Sequence, residues 1–273
     1  MMRAFAMLLR GSWSVILGLP LLGCFGTPTP LAPGLTGPVG WPHHGVQTGA
    51  MELPERGPGY ARYRSQGTYY WGQPALVHAI ERAAAKVQEA LPGGAPLLVG
   101  DLSAEHGGKI SRHYSHRSGR DVDLLWYINS HKGASVSNLS FVRIGSDGIG
   151  RPTGRAWVRL DVARQWLLVK ELVSSPLVEV QWLFCSSPVE ALLINHALAI
   201  SEDPEVIRRA QHVLLEPADS LPHDDHLHLR VACSPDESVQ GCEGGGPYWN
   251  WLPAMPALLP SEAVTTNLQV GWL

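Results

Sequence analysis

The sequence has no block of basic residues, which removes the electrostatic footprint of a nucleic-acid-binding protein. Formal net charge is only -3. Cysteine is scarce. Four in 273 residues are too few for a disulfide-built scaffold, although they suit an exported protein with one or two bridges. No internal repeat is visible, and 45% hydrophobic content allows one sizeable core, with a single large domain plus tails as the default. Histidine is the exception to this scarcity. There are twelve, and His113, His116, His223, His226 and His228 fall in two short windows.

The first residues read as a targeting segment. Arg3 and Arg10 form a basic start, and Trp13 to Leu22 is an apolar stretch too short to span a bilayer as a mature helix. It ends in Leu21-Leu22-Gly23-Cys24, which resembles the lipobox of bacterial lipoproteins. That resemblance implies removal of residues 1–23, a lipid on Cys24 and a membrane anchor made of acyl chains. Removal takes away two arginines and no acid, bringing the formal charge to -5. Phe25, in place of an acid after the cysteine, points to the outer membrane and a periplasmic enzyme. Residues 24–50 contain no Asp, Glu, Lys or Arg, and eleven of the 27 are Gly or Pro. Such a stretch has little to pack, so 24–51 is expected to be a tether, with His43 and His44 as a solvated pair. The expected domain is 52–252, followed by a tail over 253–273.

Within the domain, Leu76, Ile80, Ala83, Val87 and Leu91 keep helical spacing over 75–91, ahead of Pro92. Leu97-Leu98-Val99 reads as a short buried strand. Residues 161–173 form a helix with Val162, Trp166, Val169 and Val173 on one face. Residues 178–184 alternate as a strand. Ser187-Pro188-Val189-Glu190 has the form of a capping box opening a helix, and Asp203-Pro204 starts another. Helices and short strands interleave without a βαβ rhythm. The expected class is α+β, with a central antiparallel sheet flanked by helices.

The two histidine windows carry the chemistry. After His113 and His116 comes Asp121-Val-Asp123-Leu-Leu-Trp-Tyr-Ile128, in which Val122, Leu124, Trp126 and Ile128 point one way and both aspartates the other. In the second window Leu227, Leu229 and Val231 form one face, while His226, His228 and Arg230 form the other. If the two strands share a sheet, His116, Asp123, His226 and His228 converge. Imidazole and carboxylate suit zinc, with three protein ligands in a catalytic site or four in a closed structural one. Spacing alone leaves both open.

His-x6-Asp with a distant His-x-His resembles the lysostaphin, D-Ala-D-Ala peptidase and sonic hedgehog group of zinc folds. More narrowly, Gly100-Asp101-Leu102, Gly107-Gly108, Ser115-His116, Gly119 and Asp121-Val122-Asp123 resemble the penicillin-insensitive murein endopeptidases. So does His223-x-x-His226-x-His228-Leu-Arg followed by Cys233-Ser-Pro and Cys242. The acidic Asp224-Asp225 pair and the reduced cysteine set depart from that pattern. The resemblance implies one Zn2+ per domain, held by His116, Asp123 and His228, and hydrolysis of peptidoglycan cross-links at D-alanyl-meso-diaminopimelyl bonds. His113, His223 and His226 would line the site. His226, sharing a strand face with His228, is the first choice of general base. His113 is the second choice or an oxyanion stabiliser, and His223 an orienting residue.

A carboxypeptidase or dipeptidase of the same zinc fold is the enzymatic rival, and a zinc-bearing peptidoglycan-binding module is the rival from another class. The first is expected to have a glutamate near the second window, where only Asp224 and Asp225 stand. Asp121 could bond a ligand histidine or be a solvated acid; Arg120 and Arg230 could meet substrate carboxylates or form surface ion pairs. Cys233 and Cys242 flank a short loop that a disulfide would close. With Cys24 acylated, Cys185 is left single and is expected to be buried and inert.

Overall fold

The structure, a computed structural model, describes residues 34, 36–218, 220–244 and 249–251. The leader 1–23, Cys24 and the tail 253–273 lie outside the described residues. Among those described, no helix is long and apolar enough to cross a membrane.

The centre is a seven-stranded sheet. From edge to edge its strands are Leu214–Leu215, Val180–Phe184, His226–Val231, Asp121–Leu125, Leu97–Val99, Tyr60–Arg62 and Arg56–Gly57. The expected antiparallel pairing holds through the middle. Parallel pairs flank it, Leu214–Leu215 on one side and Tyr60–Arg62 on the other. The fold is α+β.

Four helices cover the apolar face: α1 (Pro74–Ala90), α2 (Val162–Val173), α3 (Ser187–Ala199) and α4 (Pro204–Val213). Leu76, Ile80, Ala83 and Val87 of α1 are buried at the expected spacing, as are Trp166, Val169 and Val173 of α2. They join one cluster with Val122, Leu124, Leu183, Leu227 and Leu229 of the sheet. Full burial of each such leucine stabilises the fold by roughly 2–3 kcal/mol. Asp161 caps α2 by accepting from the Arg164 N–H, and Asp203 caps α4 from the Glu205 N–H.

Two expectations are corrected. The capping box at Ser187 does not form: the N-cap is Ser186, without a side-chain cap bond, and the Ser187 N–H donates instead to the Glu216 carboxylate at 2.7 Å. The acid comes from a distant segment that local sequence cannot reveal. A capping box does form at Ser234 and Glu237, opening α5 (Pro235–Val239).

The second correction concerns the tether. Residues 37–48 are a hairpin, β1 (Gly37–Trp41) and β2 (His44–Thr48), packed on the domain. Gln47, 1% exposed, donates its amide to the Ala104 carbonyl and accepts from Gln73. Gly40 exchanges backbone hydrogen bonds with Gly241 and Glu243. An uncharged Gly/Pro-rich segment looks unpackable because its partners lie 26 to about 200 residues away. Gly119 shows how close the approach is: at φ +73°, a Cβ there would stand 1.7 Å from Gln47 Oε1.

Candidate metal centre

Strands Asp121–Leu125 and His226–Val231 pair with His228 opposite Asp123 and Arg230 opposite Asp121. Val180–Phe184 continues the rows, with Phe184 opposite His228 and Trp182 opposite Arg230. Strand alternation therefore puts Asp121, Asp123, His226, His228 and Arg230 on the face away from the helices. That face is closed off from solvent. Asp121 is 0% exposed, Asp123 2% and His228 5%, because loop 101–119 lies over it.

The loop brings His113 and His116. His116 has φ +64°, unusual for a non-glycine residue. It is held on both sides: its Nδ1–H donates to the Leu102 carbonyl at 2.6 Å, and its own carbonyl accepts from Ser103 Oγ. His223, at φ +51°, is held through its carbonyl by the Ser186 N–H.

Every imidazole in the site spends one nitrogen on an oxygen. His228 Nε2–H donates to Asp121 at 2.8 Å, His226 Nδ1–H to Asp225 at 2.6 Å, His113 Nε2–H to Asp101 at 3.0 Å, and His223 Nδ1–H to the Leu221 carbonyl at 2.8 Å. Such bonds fix tautomer and ring direction. The opposite nitrogens converge. His116 Nε2, His226 Nε2 and His228 Nδ1 each lie 3.3 Å from Asp123 Oδ1, and His113 Nδ1 lies 3.7 Å from Asp123 Oδ2.

These residues fit a metal ion. A tetrahedral zinc with bonds of about 2.0–2.1 Å separates its ligand atoms by roughly 3.3 Å. His116 Nε2 and Asp123 Oδ1 are buried without a well-directed hydrogen-bond partner, a costly arrangement unless something else completes it. Two groups, His113/His116/Asp123 and His223/His226/His228, each keep their donor atoms within 4.8 Å of one another.

The electrostatics agree with a site built around negative charge. Burial opposes ionisation of Asp123, but His226 and His116 hold its pKa well below the carboxylate range. Burial likewise opposes Asp121, which Arg230 and then His228 keep ionised. His226 is pushed up to about 10 because Asp123 and Asp225 outweigh its burial. Burial takes His228 down to about 4 despite the Asp121 hydrogen bond. The centre thus draws protons to the surroundings of Asp123, where a cation would sit.

The structure gathers His113, His116, Asp123, His223, His226 and His228 into one cluster. Sequence reasoning assigned no role to Asp101 and Asp225, whose signal was their acidity beside the histidines. It also missed Phe141 and Phe184. Phe141 stands edge-on to His226, with centroids 5.2 Å apart, and Phe184 edge-on to His228 at 5.5 Å. Arg120 is a buried strut donating to the Val231 and Glu243 carbonyls. Cys233 and Cys242 are joined by a disulfide outside the cluster, and Cys185 is free and buried.

The chain matches the model of a known family, described as penicillin-insensitive murein endopeptidase, over residues 38–248. The match takes in the hairpin as well as both histidine windows. A penicillin-insensitive murein endopeptidase of Haemophilus influenzae is 28% identical over 227 residues, 81% of this chain and 71% of the relative. Similarity to the relatives of Klebsiella pneumoniae (35% identical) and Yersinia pestis (37%) is more local. It covers 38% and 30% of this chain and 39% and 29% of those relatives.

Proposed function

Because the chain belongs to the penicillin-insensitive murein endopeptidase family, we propose that it is a zinc metalloendopeptidase cutting D-alanyl-meso-diaminopimelyl cross-links of peptidoglycan. His116, Asp123 and His228 would hold the ion. The observation that carries this is the convergence of imidazole nitrogens 3.3 Å from Asp123 Oδ1, each ring fixed from behind by an oxygen.

When bound, the ion supplies Lewis-acid polarisation of the scissile carbonyl and eases deprotonation of water; one carboxylate and two neutral imidazoles leave it a net +1. The chain's own residues do the rest. His226, with Nδ1–H on Asp225, directs Nε2 into the site. It takes the proton of the attacking water and returns it to the leaving amine. His113, bonded to Asp101 through Nε2, turns Nδ1 toward the centre, and as the imidazolium it donates from there to the developing oxyanion. His223 packs its ring against His226, with centroids 5.0 Å apart, and limits its movement. Phe141 and Phe184 narrow the access of bulk water.

One distance favours a second reading. His226 Nε2 stands as close to Asp123 Oδ1 as the two proposed ligand nitrogens do, which suits a closed four-ligand site. Loss of metal in His226→Ala would select it.

We further propose that the enzyme works in the periplasm, anchored to the outer membrane through a lipid on Cys24. Fatty-acid labelling of the wild type and not of Cys24→Ser is the expected result. The substrate is tested by mass analysis of muropeptides from digested sacculi. Cross-linked dimers should become monomers in the presence of penicillin and stay intact with a chelator. Terminal D-alanine released from intact dimers would point to a carboxypeptidase.

A further inference from the structure

Arg230 is more than a brace for the centre. Its Nε–H donates to Asp121 at 2.7 Å, and no other hydrogen bond is recorded for its guanidinium among the described residues. The side chain keeps 18% of its accessible surface. It lies over Phe184, with Cζ 5.5 Å from the ring centroid, and Phe184 in turn stands against His228 and His223. The two terminal nitrogens therefore lie at the wall of the metal centre, on the same sheet face as the ligands. The Asp121 charge that faces Arg230 is shared with the His228 N–H.

A second guanidinium is under-used nearby. Arg117 Nε is buried with no hydrogen-bond partner. The Arg117 backbone N–H donates to the Pro42 carbonyl at 3.0 Å, so this residue lies beneath the hairpin turn that carries His43. His43 ties the two together: after burial, the largest influences lowering its proton affinity include Arg230 and Arg117, with Asp121 opposing. Two arginines with spare donors, one of them with its Nε buried and without a partner, leave an anion missing from this corner.

The proposed substrate has an anion to offer. In a D-alanyl-meso-diaminopimelyl cross-link, the carbon attached to the leaving nitrogen carries a free carboxylate. We propose that Arg230, with Arg117 as its partner, receives this carboxylate and so selects the leaving side of the bond. The inference rests on the murein endopeptidase reading and names a specificity determinant within it. A planar fork suits the task, since a guanidinium fixed at Nε can present its terminal nitrogens to a carboxylate in a set direction.

The test uses two synthetic cross-linked dimers, one with that carboxylate free and one with it amidated. KM and kcat are measured for zinc-loaded wild type, Arg230→Gln, Arg230→Lys and Arg117→Gln, with metal content checked in each. Wild type should prefer the free acid by at least about tenfold. Arg230→Gln should lose that preference, its KM rising far more for the acid than for the amide. Arg230→Lys should recover part of it, and Arg117→Gln should weaken it. An unchanged preference in both Gln variants would overturn the proposal. So would an equal loss on both dimers with zinc retained, which would make Arg230 only a positioning residue acting through Asp121. If wild type cuts neither dimer, the endopeptidase reading fails separately. Calorimetric titration with the same dimers then decides the subsite: tighter binding of the acid, lost in Arg230→Gln, supports it, and equal binding overturns it.

Discussion

The two faces of one strand pair, Asp121–Leu125 with His226–Val231, differ in everything except burial. On the helix side, Val122, Leu124, Leu227 and Leu229 are each 0% exposed and satisfied by packing alone. On the other side, Asp121, Asp123 and His228 are nearly as buried, yet Asp123 Oδ1 and His116 Nε2 have no well-directed partner. A packed apolar face is complete without any addition. In the proposed reading a cation replaces the missing bonds of the polar face, so the two faces should fail in different ways when altered.

The largest effect should come from emptying the polar face. Chelation should lower turnover by roughly a thousandfold or more and reduce thermal stability, because the metal binds only the folded state. Activity that survives exhaustive chelation would break the comparison at its base. Leu124→Ala probes the other face. It should cost about 2–5 kcal/mol of unfolding free energy in denaturant titration while zinc per folded chain stays unchanged. Equal loss of metal and stability would mean that the faces are not separable.

Within the polar face, His226→Ala should retain zinc and lose turnover by roughly a hundredfold or more, since this residue moves a proton. Away from both faces, Cys233→Ser opens a loop of nine residues' separation. It should cost roughly 2–3 kcal/mol in non-reducing denaturation, with zinc content unaltered.

The smallest expected effect is on the pH dependence of the metal-free chain. His226 titrates near 6.5 when unfolded and is pushed up to about 10 when folded, its burial outweighed by Asp123 and Asp225. Its contribution is therefore fully present below pH 6.5 and lost as pH rises from there through about 10. Melting of chelated protein should show this alkaline decline. The zinc-loaded protein should lack it, because a metal ion takes over the charge that the proton supplied.

Much of this arrangement was legible in the sequence, for a simple reason. Period-two alternation assigns faces, and it placed Asp121 and Asp123 opposite Val122 and Leu124, and His226 and His228 opposite Leu227 and Leu229. Helical spacing likewise gave α1 and α2 almost to their ends. What remained hidden depends on contacts distant in sequence. Alternation says that a face is polar, not that loop 101–119 will bury it. Nothing local to Gly37–Thr48 announces that Gln47 will meet Ala104 and Gln73, or that Gly40 will pair with Gly241. Asp225 could be seen as an acid out of pattern, but its bond to His226 needs the ring's orientation. Phe184 belonged to an unremarkable alternating strand until its register with His228 put it beside the centre.

The central claim is that the polar face is a cradle completed by a metal ion on His116, Asp123 and His228. Its most direct test is elemental analysis of the purified protein and of His116→Ala, Asp123→Ala and His228→Ala, each shown to be folded. About one zinc per chain is expected in the wild type, and almost none in each variant, because each lacks one of three ligands. Full zinc occupancy in any of the three, or a wild type that takes up none, would contradict the account.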